Sequence, residues 1–185
     1  VLASGDARVE DLANWHHPSD PTALVTWVES HDTYCNQNES AGLTDDQIRT
    51  GWVFLTSRAT GKPLFFSRPA GSTRQNYWGN NRIGARGNDE FFHPEVVAAN
   101  KFRHDMSGQP ESLSYSDNGA VAMVSRGTKG LALVNFSTKG QKVKMATALP
   151  DGTYTDPVST KTFKVSKGIL TGRLDATTTY ILRNE

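Results

Sequence analysis

The feature that most constrains the fold is a series of turn signals in the second half of the chain: Asp117-Asn118-Gly119, Thr128-Lys129-Gly130, Thr138-Lys139-Gly140, Pro150-Asp151-Gly152 and Ser166-Lys167-Gly168. Between them run short stretches in which apolar and polar residues alternate, the period of a strand with one face on a core. Residues 120–126, 131–136, 141–145, 162–165, 169–174 and 178–182 are the expected strands. Turns at this spacing joined to alternating strands argue for an antiparallel sandwich, Greek-key in connection. The three Ser/Thr-Lys-Gly turns recur too irregularly to be a structural repeat.

The first half has a different texture, and the two meet near Ser107-Gly108-Gln109-Pro110. Residues 1–107 and 108–185 are therefore read as two units, α/β followed by all-β. Thr44-Asp45-Asp46-Gln47 is a capping box, and Ile48, Trp52, Val53 and Leu55 follow at helical spacing. Gly61 and Pro63 end that helix and lead into a short buried strand at 64–66. A second helix is expected over 93–106, with Pro94 in its first turn and Val96, Val97 and Phe102 on its inner face. Upstream, the run 24–29 reads as a strand buried on both faces of a parallel sheet, and it ends abruptly at His31 and Asp32. In barrels, active sites collect at the carboxyl ends of such strands. Two strand-helix units in succession imply parallel strands with right-handed crossovers.

Charge excludes some partners. The chain has 185 residues, with 20 Lys and Arg against 19 Asp and Glu, and no block of like charge that would track a phosphate backbone or an anionic membrane. Neither nucleic acid nor a membrane is expected as a partner. No apolar stretch has the length of a membrane span, and Val1-Leu2-Ala3-Ser4-Gly5-Asp6 lacks a basic segment followed by a hydrophobic core, so a soluble chain without a visible export signal is expected. Cys35 is the single cysteine, which excludes an intramolecular disulfide and a cysteine-built zinc site.

The run Leu24-Val25-Thr26-Trp27-Val28-Glu29-Ser30-His31-Asp32, followed by Thr33 and Tyr34 and then by Gly61-Lys62-Pro63-Leu64-Phe65-Phe66-Ser67-Arg68-Pro69, resembles the late part of secreted bacterial α-amylases, a retaining glycoside-hydrolase family. That family has a (β/α)8 TIM barrel followed by an antiparallel β domain. The resemblance implies that 24–29 and 64–66 are the seventh and eighth barrel strands, that 1–107 is the C-terminal part of the barrel, and that 108–185 is the sandwich. Val28-Glu29-Ser30-His31-Asp32 matches a short family signature. Ser30 departs from the asparagine common there, and Phe66-Ser67-Arg68-Pro69 from the commoner aromatic-glycine-acid ending, which bears on finer substrate preference.

Retaining hydrolysis needs a carboxylate nucleophile and a carboxylic acid that protonates the leaving oxygen. By resemblance Asp32 is neither. It is the third carboxylate, the transition-state stabiliser, and His31 is a substrate-binding donor to a hydroxyl of the same sugar. Arg68 and Tyr34 are further substrate-binding candidates. The nucleophile and the general acid belong on earlier strands outside this sequence, so the segment alone is expected to be inactive. The resemblance also implies starch or maltooligosaccharide as the ligand, the N-terminal part of the enzyme as partner, secretion to the cell exterior, and a calcium ion whose ligands lie outside this segment.

Each candidate has a plainer reading. Asp32 could be a capping carboxylate and His31 a structural imidazole. Cys35, four residues after His31, could be a thiol nucleophile or a small residue filling space. His16 and His17 could ligate a metal, although adjacent rings do not easily turn on one ion. Arg68 and Arg86 could pair with an active-site carboxylate or be solvated. Tyr34, Tyr77 and Trp78 could stack on sugars, whereas Trp52 belongs to the core by its stripe position. Asn38-Glu39-Ser40 and Asn135-Phe136-Ser137 are glycosylation sequons. Two other functions fit the same residues: a non-catalytic carbohydrate-binding β module with a helical adapter, and a half-enzyme active only with a complementary N-terminal chain. Barrel strands with open edges favour association, and the β unit after Pro110 is the part expected to stand alone.

Overall fold

The computed structural model describes residues 20–80 and 84–184. The first half contains a parallel pair of short strands, β1 (Val25–Thr26) and β2 (Lys62–Pro63), with the helix α1 (Asp45–Ser57) between them in sequence, and a second helix, α2 (Pro94–Asp105). The capping box forms as expected: the Thr44 hydroxyl accepts from the Gln47 N–H, and the Gln47 side chain accepts from the Thr44 N–H. Pro94 lies in the first turn of α2, and the His93 ring caps it by accepting from the Glu95 N–H. Val96, Ala99 and Phe102 are buried, whereas Val97, expected on the inner face, is exposed. A step of one residue turns a helix by about 100°, which carries Val97 past the edge of a stripe centred on Val96 and Ala99.

The parallel pair is shorter than the runs 24–29 and 64–66 suggest, and in β2 it is shifted toward the glycine. Lys62 N donates to Leu24 O at 2.7 Å and Leu64 N to Thr26 O at 2.8 Å. Val28 and Phe65 pack toward the helices, with Phe65 edge-on to Trp52 at 5.0 Å, while Val25, Trp27 and Leu64 are exposed. The run is thus half-buried, not covered on both faces. Among the described residues no third strand pairs with either edge, and a parallel strand is enclosed only when neighbours and helices flank it on every side.

The second half is a sandwich of two four-stranded antiparallel sheets. One contains β3 (Glu111–Tyr115), β4 (Val121–Arg126) and β5 (Gly130–Asn135), joined by β10 (Thr178–Arg183) in the order β10-β5-β4-β3. The other contains β6 (Gln141–Ala146), β7 (Gly152–Thr155), β8 (Thr162–Ser166) and β9 (Ile169–Leu174) in the order β6-β9-β8-β7. There β7, β8 and β9 form a meander and β6 lies beside β9, which is a Greek-key order. The core between the sheets holds Met123, Leu131, Leu133, Tyr180 and Leu182 from one and Val143, Met145, Phe163, Val165 and Leu170 from the other.

β4 and β5 are buried along their whole length, because the sheet that holds them is covered twice. Its second face presents Ala122, Val124, Ala132, Val134 and Ile181 to Trp52, Val53 and Phe54 of α1 and to Val96, Ala99 and Phe102 of α2. A side chain at Gly130 would place its Cβ 2.8 Å from the Phe102 ring and 3.0 Å from Leu182 O, so this turn glycine is set by the close approach of α2. Two arginines finish the junction. Buried Arg126 of β4 donates to the carbonyls of Ser57, Met106 and Gln109, and Arg103 of α2 donates to those of Thr56, Arg58 and Gly61. Those of Thr56, Ser57, Arg58 and Met106 are carbonyls that the end of a helix leaves without intrahelical partners.

Candidate active site

Past β1 the chain turns sharply. Ser30 N donates to the Thr33 hydroxyl at 2.8 Å, Thr33 N reaches the Ser30 hydroxyl at 3.4 Å, and Tyr34 N donates to Ser30 O at 3.0 Å. This reciprocal cap starts a π-helical turn, Asp32–Asn36, and its first positions present His31 and Asp32 to solvent with side chains 71% and 55% exposed. Asp32 Oδ1 accepts from Asn36 Nδ2 at 2.7 Å and stands 3.4 Å from His31 Nε2. The pair therefore lies in the turn that follows β1, separated from the last paired residue, Thr26, by residues 27–30, whereas the sequence suggests a strand running up to the pair.

The carboxylate that sequence reasoning missed is Glu29, which is 2% exposed. Arg68 meets it with two hydrogen bonds, Nε to Oε1 at 2.8 Å and Nη2 to Oε2 at 2.9 Å, and donates further to the carbonyls of Leu43 and Ser40. The guanidinium lies 4.5 Å from the centre of the Tyr34 ring. Burial pulls the Arg68 pKa down, but the hydrogen bond and charge of Glu29 outweigh it and the net shift is upward. A buried glutamate four residues after Val25 gave one signal in the sequence, a charge interrupting an apolar run. Its partner lies 39 residues away and is not identifiable from spacing.

Tyr34 is buried, edge-on to Tyr77 and tilted against Phe66, and its hydroxyl donates to Ser72 Oγ at 2.9 Å. Arg68 and Tyr34 thus belong to one packed cluster, separate from the exposed surface that carries His31 and Asp32. A cavity of about 370 Å3 adjoins the cluster, lined by Tyr34, Thr44, Asp45, Arg68, Ser72 and Asn88 among others, and neither His31 nor Asp32 lines it. Cys35 is buried with its Sγ 4.0 Å from Tyr77 O; burial and the nearby Glu29 charge push its thiol pKa up, the wrong direction for a nucleophile.

Several of the remaining candidates have local explanations. Arg86 pairs with Asp89 on the surface, and Trp52 is core. Asn135 is buried and donates to the carbonyls of Lys139 and Asp175, so its sequon side chain is a structural tie. His16 and His17 lie outside the described residues. Among the described residues no group of three or more His, Cys, Asp or Glu is arranged to hold a metal ion. None of the described helices is long and apolar enough to cross a membrane.

No model of a known protein family matches the chain. An α-amylase of Butyrivibrio fibrisolvens is 36% identical over 193 residues, a stretch covering 95% of this chain and 20% of that protein. An α-amylase of Clostridium acetobutylicum is 35% identical over 167 residues, again across 20% of its length. The chain is homologous to the C-terminal part of α-amylases. It spans about one fifth of the length of these amylase relatives. Solved α-amylases share the fold: α-amylase I of Eisenia fetida, in a complex with maltohexaose, superposes with a TM-score of 0.71 at 14% identity, covering 100% of this chain and 46% of that one. The α-amylase of Geobacillus thermoleovorans complexed with acarbose gives 0.67 at 15% identity, covering 100% and 45%.

Proposed function

We propose that this chain is the part of an α-amylase that supplies the transition-state-stabilising carboxylate, Asp32, to retaining hydrolysis of internal α-1,4-glucosidic bonds in starch and related glucans. The observation that carries the reading is the exposed His31-Asp32 pair in the turn that follows a parallel strand, in a chain homologous to amylases. In this reading β1 and β2 belong to the last two units of the catalytic barrel, residues 1–107, and 108–185 is the sandwich that follows. Secretion, and a structural calcium ion held by other parts of the enzyme, belong to the same proposal.

The chemistry assigns each residue a task. Asn36 holds Oδ1 of Asp32, which leaves Oδ2 to accept from sugar hydroxyls. A fixed negative charge beside the sugar strengthens its hold as positive charge develops on the ring, so its benefit is larger in the transition state than in the ground state. It also favours the protonated form of a neighbouring general acid. His31 donates to a hydroxyl of the same sugar. Arg68 and Tyr34 act from below, as the packed support of the turn that bears the pair. The nucleophile and the acid come from the remainder of the enzyme, and the chain alone does not complete the reaction.

In the full-length enzyme, Asp32→Asn is expected to lower kcat on a blocked maltoheptaoside by roughly a thousandfold while KM changes little. Steady-state kinetics on the two proteins measure this. Equal losses in kcat and in glucan affinity, or hydrolysis by the 185-residue chain that survives the substitution, would sink the reading.

A further inference from the structure

The strands of the β6-β9-β8-β7 sheet contain no acidic residue and four basic ones: Lys142 and Lys144 on β6, Lys164 on β8 and Arg173 on β9. All four are exposed, on the face opposite the core residues Val143, Met145, Phe163, Val165 and Leu170. The register brings them together. Lys142 stands directly across from Arg173, and Thr171 stands between Lys144 on one side and Lys164 on the other. With strands about 4.8 Å apart, Lys144 and Lys164 are roughly 10 Å from each other across one row. None of the four forms an ion pair within the described chain.

Like charges placed directly opposite each other on adjacent strands destabilise a sheet. Lysines on β6 protect an edge strand from unwanted pairing, but β8 and β9 are interior strands, where edge protection calls for no charge. The chain as a whole is nearly neutral, at +1. A one-sign face on such a molecule is a local field suited to a polyanion. The face offers no aromatic ring on which a nucleobase could stack and no large exposed apolar side chain to enter a bilayer. Between the cations it carries hydroxyls, those of Thr153, Thr162, Ser166 and Thr171, which match a hydroxyl-rich polymer.

We propose that the outer face of this sheet docks an acidic polysaccharide, its anionic groups on Lys142, Lys144, Lys164 and Arg173 and its hydroxyls on the intervening threonines. This surface lies outside the residues that the amylase reading uses, and it stands or falls independently of that reading.

The test is binding of the full 185-residue chain to heparin and to alginate, followed by affinity electrophoresis, with neutral dextran, oligo(dT) and vesicles of anionic phospholipid as comparison probes. Both acidic polysaccharides should retard the chain and dextran should not. For four ionic contacts, raising salt from about 50 to about 200 mM should weaken binding on the order of fiftyfold. Lys164→Glu with Arg173→Glu should weaken it at least about tenfold, while Lys62→Glu with Lys129→Glu, which changes net charge equally at exposed sites elsewhere, should stay within about twofold. Circular dichroism and Tm check that each variant is folded, and Lys164→Gln with Arg173→Gln replaces the charge reversal if that variant does not fold. Equal loss in the control variant overturns the proposal, as does oligo(dT) or vesicle binding as tight as that of the polysaccharides.

Discussion

Glu29 and Arg68 show how much one buried pair can decide at the scale of the residue. They tie the turn after β1 to the loop that follows β2 and to the carbonyls of Ser40 and Leu43. Removing one partner leaves a charge stranded out of water, so Arg68→Ala is expected to cost about 3–5 kcal/mol of stability. Replacing both by apolar residues, Glu29→Leu with Arg68→Met, should recover much of that loss, since the desolvation of both charges disappears together. Urea denaturation of the two singles and the double forms the cycle that measures it; singles that lose less than the double would contradict the pairing. His31 and Asp32 were legible in the sequence because a polar pair closing an apolar run is a local signal. The support beneath them was not, because the partner of Glu29 is fixed only by folding; the sequence offered Arg68 and Tyr34 as groups for a sugar, and the structure packs both into the cluster beside the turn.

Individual elements followed their local chemistry closely. The capping box at Thr44, Pro94 at the start of α2, and six of the strands stand where turn and alternation signals put them. β3 and β7 were not anticipated, and both are edge strands. Both are short and poor in apolar residues: Glu111–Tyr115 carries only Leu113 and Tyr115, and Gly152–Thr155 only Tyr154, too few apolar positions to mark a strand. The β8–β9 hairpin turns through Lys167 and Gly168, both with positive φ, and Asp151 clasps it by accepting from the N–H groups of both residues. Those bonds hold the Asp151 carboxyl below the usual carboxylate range. Because its folded pKa is the lower one, the folded state binds fewer protons; the stabilisation is present above the unfolded value near about 3.9 and is lost as pH falls through the folded value. Thermal unfolding followed from neutral to acidic pH should therefore show a fall in Tm that is shallower in Asp151→Asn, and identical slopes would refute the clasp.

For the whole molecule, the junction of the two halves matters more than either half. The sequence suggested that the β unit after Pro110 could stand by itself, but the face of its β10-β5-β4-β3 sheet that carries Val124, Val134 and Ile181 is the floor on which α1 and α2 pack. Cutting the chain to residues 108–185 uncovers that apolar face, and exposed patches of this kind drive association. The truncated protein is expected to bind 8-anilinonaphthalene-1-sulfonate strongly and to sediment above monomer mass, and a monodisperse, dye-silent product would refute this. By itself the sequence determined the antiparallel class of the second half, most of its strands and the helix starts, because all of these rest on neighbours within a few residues. Only the tertiary structure decided the partner of Glu29, the double burial of β4 and β5, and the cationic sheet face. Each joins residues far apart in the chain, and a nearly neutral composition with no charged block gave no sign that strand register would gather four cations on one side.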